Sequence, residues 1–338
     1  MNNKNQIAPV FISVFDRFSH FKKCIESLQK NKEAELTTLY ISSDGPTNQD
    51  SLERIDLIRE YLKYLKGFKK VNLFLAKENT GGEILIKTSN AIRGDCKQYI
   101  YSEDDNIFSP YFLSYMNEGL NIYREHKDIY AVCGYMYPGY RAERNEQIFL
   151  KCLAAWGIGY WTDKDIPNSF DEAIFANEIF DDEHFFRKIN QSLPVMGPML
   201  RLIADRKLKA GDVTRSALLF KRRQVCIFPP VSLVRNIGHD GSGKHCGENR
   251  KYAQQPIFLE KVIFNPFKTC KPTMGDKFWL FQYFGGCIAS WRGEFILKER
   301  ESLGGIAKIT YRYMQACLAI MLRIRNIARR FRRLPFYD

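Results

Sequence analysis

Short apolar runs alternate along the chain with stretches whose apolar residues return every three or four positions, and the alternation repeats four times before residue 110. A near-continuous apolar run reads as a strand buried on both faces, and a three-to-four spacing reads as an amphipathic helix. IAPVFISVFDRF (7–18) predicts the first strand. SHFKKCIESLQKN (19–31) predicts a helix with Phe21, Ile25 and Leu28 on one face and Ser19 as its cap. TTLYISSDGP (37–46) is a second strand running into a turn, and DSLERIDLIREYLKYL (50–65) is an amphipathic helix capped by Asp50 or Ser51. KKVNLFLAKENTGG (69–82) is a third strand ending in a Gly-Gly loop, EILIKTSNAIR (83–93) a helix, and YIYSEDDN (99–106) a fourth strand. Such alternation predicts an α/β fold, a mostly parallel sheet with helical crossovers on both faces.

Beyond Pro110 the pattern is less regular. YFLSYMNEGLNIYREH (111–126) predicts a helix and DIYAVCGYMY (128–137) a strand. CLAAWGIGYWTD (152–163) is aromatic and glycine-rich, and acids and aromatics crowd DEAIFANEIFDDEHFF (171–186). A helix over roughly 198–207 leads to KAGDVTRSALLF (209–220); VCIFPPVSLVRNIGHDGSGKHCG (225–247) gives a strand and then a polar loop. The segment 248–280 reads as irregular, and 304–334 as one long basic amphipathic helix.

Composition adds limits. The 338 residues are 45% apolar and 26% charged, as in a globular protein large enough for a substantial core. Nine cysteines without a C-x-x-C pair suggest free packing thiols in a reducing compartment. MNNKNQIAPVF lacks the apolar core of a signal peptide, and no run of 18 apolar residues predicts a transmembrane helix. The formal charge is +13, but residues 298–338 carry ten Lys/Arg against three Asp/Glu, a net +7, which leaves +6 for the other 297. The basic character therefore belongs largely to the tail. With no aromatic–basic stripe in the body of the chain, a nucleic-acid partner is not expected.

Candidate chemistry collects at the strand ends, where open α/β sheets bind ligands. Glu103, Asp104 and Asp105 follow the fourth strand as three adjacent acids. Hard divalent cations take oxygen ligands, and one or two carboxylates with diphosphate oxygens suffice, although an acidic turn capping the next helix would look the same. Arg17 after the first strand suits a diphosphate. Asp44 after the second either holds its Asp-Gly-Pro turn or accepts from a base N–H. Gly81-Gly82 lets backbone approach a ligand and opens a helix whose N-terminus favours anions. His239 and His245 lie in a loop with Gly238, Gly241 and Gly243, and Trp156 and Trp161 suit either core packing or stacking on a sugar. No Walker A or G-x-G-x-x-G pattern is present.

In their order, VFISVFDR, SDGP, KENTGG and YSEDDN resemble the motifs of a GT-A fold glycosyltransferase, family-2-like, and also N-acetylglucosaminyltransferase I. PPVSLVRNIGHDGSGKHC (229–246) is the most specific match, resembling a segment of bacterial members that act in surface-polysaccharide synthesis. The resemblance spans about 7–247. It implies a nucleotide-sugar donor, a UDP-sugar foremost, a Mn²⁺ or Mg²⁺ ion, and transfer with inversion to a hydroxyl of a glycan or lipid-linked oligosaccharide. It further implies Asp105 and His245 as metal ligands, with Glu103 and Asp104 facing the donor ribose or sugar, Asp44 at the base and Arg17, Gly81 and Gly82 completing the donor site. Asp212 in KAGDVTRS is the implied base, with Asp181–Glu183 as the other acidic cluster in reach of the role. The aromatics that often flank such a base are replaced here by Gly211 and Ser216.

On that reading residues 1–110 form the nucleotide-sugar half, 111–250 the acceptor and catalytic half of the same domain, 251–303 an irregular extension and 304–338 the basic tail. The tail, with its apolar stripe and crowd of arginines, is expected to lie on an anionic membrane and to place the enzyme on the inner, cytoplasmic face. Two rival functions remain. A sugar-phosphate nucleotidyltransferase needs a glycine-rich N-terminal loop, which IAPVFISVFDR lacks. A non-enzymatic basic membrane-binding protein would need only the tail.

Overall fold

The computed structural model describes residues 6–242, 247–265 and 267–300; the expected tail helix over 304–334 and His245 lie outside them. Among the described residues the contacts divide the chain into two compact units, one from 6–170 and 215–274, the other from 171–214 and 275–300.

The first unit opens with β1 (Val10–Val14), α1 (Phe18–Gln29), β2 (Thr38–Ser43), α2 (Gln49–Lys63), β3 (Lys70–Leu75), α3 (Glu83–Asp95) and β4 (Gln98–Glu103). The alternation read from the pattern is therefore present. β1 and β4 lie inside the sheet and are buried along most of their length, whereas β3 at the edge alternates exposed and half-buried. α1 turns Phe21, Cys24, Ile25 and Leu28 inward, and Arg17, not Ser19, precedes its first residue. α2 begins with a reciprocal cap between Asn48 and Ser51.

The unit continues through β5 (Asn106–Phe108), α4 (Phe112–Ile122), β6 (Ile129–Cys133), β7 (Ile148–Leu150) and β8 (Ile158–Trp161). The eight-stranded sheet runs β3-β2-β1-β4-β8-β6-β9-β7, with β9 at Val225–Phe228. Six strands run one way; β8 and β7 run against them. β8 occupies the aromatic, glycine-rich stretch 152–163. Trp161 there is fully buried and donates to the Leu120 carbonyl at 3.0 Å, so it packs the core. A separate two-stranded ribbon pairs β5 with β10 (Val234–Asn236), placing Asn106 opposite Asn236.

The second unit holds α5 (Glu172–Asp181), α6 (Glu183–Asn190), α7 (Met196–Ala204) and most of α10 (Met274–Tyr283), and α11 (Gly286–Arg300). Its acidic run acts at helix starts: Asp171 accepts from Ala173 N and Ile174 N, and Asp182 from Phe185 N. Asn190 donates to the Ser290 carbonyl at 2.8 Å, and a side chain at Gly293 would collide with Asn190. α8 (Gly211–Arg222) starts in the second unit's residues and continues into the first unit's; α9 (Arg250–Ala253) is one turn within 248–280. Among the described residues no helix is long and apolar enough to cross a membrane.

Candidate active site

β1, β2 and β4 run parallel and end on one rim. Asp104 and Asp105 follow β4, and Arg17 follows β1, its immediate neighbour. One guanidinium nitrogen, Arg17 Nη2, donates to Asp104 Oδ1 at 2.6 Å and to Asp105 Oδ2 at 2.8 Å. Two carboxylates thus share one cation, and both are buried. Burial pushes Asp104 up to about 6; Arg17 opposes that and the Asp105 charge adds to it. Arg17 itself is raised, because its two carboxylates outweigh the cost of burying it. Glu103, the last residue of β4, sits half-buried opposite Ser13.

The far side of the carboxylates is built by the β10 segment. Asn236 donates to Asp105 Oδ1 at 2.8 Å, and Ile237 N donates to the Asp105 carbonyl at 2.8 Å. Gly238 follows, and a Cβ there would lie 2.1 Å from Asp105 Oδ2 and 3.0 Å from Arg17. Only glycine allows this backbone to close over the pair. His239 comes next. It is buried, and its Nε2 has no hydrogen-bond partner. Burial holds its pKa below the usual imidazole value, against the pull of Asp105 and of a hydrogen bond to the Gly247 backbone. Nε2 is thus an unpartnered ring nitrogen on the segment that closes over the carboxylate pair.

These residues fit a divalent cation: hard oxygens, an unpartnered imidazole nitrogen and one negative charge left over. Among the described residues no three His, Cys, Asp or Glu side chains converge closely enough to hold an ion by themselves, so oxygens from a bound ligand would have to complete the shell. His239 is the histidine of this loop that lies among the described residues, and it follows directly on the glycine that closes over Asp105. The sequence shows two histidines there; the charge of Asp105 acting on His239 is a tertiary fact.

Asp44 has a definite structural job. Its carboxylate accepts from Gly45 N, Thr80 N and Thr80 Oγ1, each at 2.8 Å, and from Gly82 N at 3.1 Å. Burial opposes its ionisation, yet these bonds to Thr80, Gly45 and Gly82 hold its pKa below the ordinary value. Gly82 takes φ +97 at the start of α3, a left-handed conformation that suits glycine. The anion that the amides around Gly81-Gly82 hold is therefore largely Asp44's own carboxylate; Gly81 N itself donates to Asn79 Oδ1. Asp212 lies in the first turn of α8, within the residues of the second unit.

Trp156, Tyr135, Tyr252 and His239 gather beside Asp105. Trp156 meets Tyr135 edge-on at 4.6 Å, His239 at 5.3 Å and Tyr252 at 5.8 Å between ring centroids. Trp156 stays half-buried, unlike Trp161.

No family model matches the chain, and no curated protein matches it. Among solved structures it is similar to S. aureus TarS 1-349 at 13% identity, covering 70% of this chain and 62% of that one with a TM-score of 0.38. It is similar to GalNAc-T7 with UDP, GalNAc and Mn²⁺ at 12% identity, covering 70% and 44% with a TM-score of 0.41. It is also similar to the mannosyltransferase PcManGT from Pyrobaculum calidifontis in complex with GDP-Man and Mn²⁺, at 9% identity, 63% and 69% coverage and a TM-score of 0.36. The chain spans less than two thirds of the length of TarS 1-349 and GalNAc-T7, and 28% of a longer S. aureus TarS structure.

Proposed function

We propose that this chain is a metal-dependent glycosyltransferase that moves a sugar from a nucleotide donor, a UDP-sugar foremost, to a hydroxyl of a glycan or lipid-linked acceptor. One observation carries the reading: at the carboxyl ends of parallel strands, two buried aspartates share one arginine beside an unpartnered imidazole nitrogen. That set lacks one positive charge, which a divalent ion supplies, and it lacks oxygen ligands, which a diphosphate supplies. Asp105 and His239 would hold Mn²⁺ or Mg²⁺, whose charge offsets the negative charge that grows on the departing diphosphate. Arg17 provides a second cation for the same diphosphate, and Asn236 orients Asp105. The loop that Asp44 ties down forms the nucleoside side.

Asp212 is the proposed base for the acceptor hydroxyl, a role that inversion requires. The basic segment 304–338, by its sequence, is proposed to keep the protein on the anionic inner face of a membrane, near a lipid-linked acceptor. A nucleotidyltransferase reading has no triphosphate loop to support it.

The test is calorimetric binding of UDP to the purified chain with and without Mn²⁺, paired with transfer assays. Wild type should bind UDP only with the metal, and Asp105→Ala should lose that binding and the metal-dependent transfer while its circular dichroism stays that of the folded chain. Asp212→Asn should keep the binding and lose turnover. Metal-dependent UDP binding that survives in Asp105→Ala would sink the assignment.

A further inference from the structure

α10 and α11 follow one another with only Phe284 and Gly285 between them, and they carry the most exposed large apolar side chains of the second unit. Phe278 is 67% exposed and Trp291 63%. Met274, the first residue of α10, is 77% exposed and lies one turn before Phe278 on the same side of the helix. The acids are placed the other way. Asp276 is buried, and Glu294 accepts from Arg187 at 3.1 Å and from Asn190 at 3.2 Å. Among the described residues of 275–297 the exposed charges are Lys277, next to Phe278, and Arg292, next to Trp291.

Single exposed apolar residues are common, but here the two aromatics each adjoin a cation and no exposed acid accompanies them. The charge says what covers them. A second copy of the chain would bring two basic surfaces together. So would residues 298–338 of this chain, with ten Lys/Arg against three Asp/Glu. Like charges oppose both. An anionic bilayer is the complement: Trp and Phe seat where headgroups meet acyl chains, and Lys and Arg reach the phosphates. Neither helix can cross it, since α10 has 10 residues and α11 has 15 against about 20 for a span. The basic segment follows directly on α11, so the two surfaces are consecutive in the chain.

We propose that the exposed sides of α10 and α11 are a bilayer-docking surface, in which Met274, Phe278 and Trp291 enter the headgroup region of an anionic membrane and Lys277 and Arg292 face its phosphates. The inference rests on the membrane placement proposed for 304–338, adds a second contact within the folded second unit, and is independent of the sugar donor.

The four tryptophans allow the two contacts to be told apart. Trp161 is buried, Trp156 and Trp279 are half-buried, Trp291 is exposed, and residues 301–338 contain none. The full chain is mixed with vesicles of phosphatidylcholine, with and without phosphatidylglycerol, whose acyl chains are brominated near the headgroup, because bromine quenches tryptophan on contact. Sedimentation then reports binding, and quenching reports whether Trp291 meets lipid. Wild type is expected to sediment with the anionic vesicles only, to be released by salt, and to be quenched while bound. Trp291→Phe should still sediment, with most of the quenching gone. Phe278→Ser should bind about tenfold more weakly, with the circular dichroism of the folded chain, since its side chain is exposed. Binding without quenching, or quenching that Trp291→Phe leaves intact, would overturn the surface and leave the basic segment as the anchor. No binding to either vesicle would remove the membrane placement as a whole. A lower oligomeric mass for Trp291→Ser than for wild type without lipid would overturn the proposal by giving the surface to a second copy.

Discussion

Two clusters of buried charge lie at opposite ends of β4, and their stoichiometries are inverted. At the start of the strand one aspartate meets two arginines. Asp165, fully buried in its side chain, pairs with Arg93 and with Arg215 Nε at 3.0 Å, and accepts from the hydroxyls of Tyr99 at 3.1 Å and Tyr130 at 2.6 Å and from Ile166 N at 2.8 Å. At the other end two aspartates meet one arginine. Burial works against both sets of carboxylates. The arginines and the tyrosine hydroxyls overcome it at Asp165, whose pKa is lowered, whereas Arg17 alone does not at Asp104, raised to about 6. A carboxylate surrounded by donors has nothing left to offer a ligand, and it serves to join α3, β4, β6, β8 and α8. A pair short of one positive charge keeps a net negative charge, which the proposed function assigns to a cation. Acidic residues in a core therefore divide by what they lack, not by how deeply they are buried.

Removing the saturated centre should have the largest effect. Asp165→Ala leaves two arginines and two tyrosine hydroxyls buried without their acceptor, and we expect a loss of about 3–5 kcal/mol in urea unfolding. A loss under about 1 kcal/mol would mean the cluster is not a stabilising knot.

The next effect is in pH. Asp104 binds its proton more tightly folded than unfolded, so its contribution favours the folded state at low pH. It is lost as pH rises from the unfolded value near 4 through about 6. Metal-free protein should lose roughly 3 kcal/mol across that window from this group, and Asp104→Asn should flatten the slope. Asp165, with its lowered pKa, acts in the opposite sense: its contribution is present above the unfolded value and fades only in acid. An unchanged slope in Asp104→Asn would place the titration elsewhere.

The smallest change compares two tyrosines. Tyr99→Phe removes one of several donors to Asp165 and should cost about 1 kcal/mol. Tyr135→Phe, which removes a buried hydroxyl without a hydrogen-bond partner, should cost nothing; equal losses would erase the distinction between satisfied and unsatisfied sites.

Much of the first half was legible because its strands are buried on both faces and its helices on one. The runs at Val10–Val14, Thr38–Ser43 and Gln98–Glu103 are strands, and the acids past Tyr101 lie on the rim where the pattern puts them. β8 escaped the pattern because four residues between Gly157 and a polar turn carry no periodicity, and nothing local signals a reversed strand. Asp165 sits in WTDKDIP, which reads as a polar loop; its partners Arg93 and Arg215 are 72 and 50 residues away. Asp182 stands in the acidic run offered as the alternative base, and the structure uses it, like Asp171, to start a helix. Short-range signals report propensity and periodicity, whereas charge pairing across the sheet appears only once the strands are assembled.

The ribbon of β5 and β10 has a consequence for the order of events as the chain matures. β1 and β2 join residues about thirty positions apart, but Asn236 reaches Asp105 across 131 residues. Closing so long a loop is slow, and synthesis proceeds from the N-terminus. We expect β1 and β2 to gain protection first and the acidic pair to be enclosed last, when Gly238 settles over Asp105. Pulse-labelled hydrogen exchange during refolding would show this as late protection of the Ile237 amide relative to those of β1 and β2; simultaneous protection would refute it. A nascent chain would then carry its acidic pair open to solvent until residues 234–238 arrive to cover it.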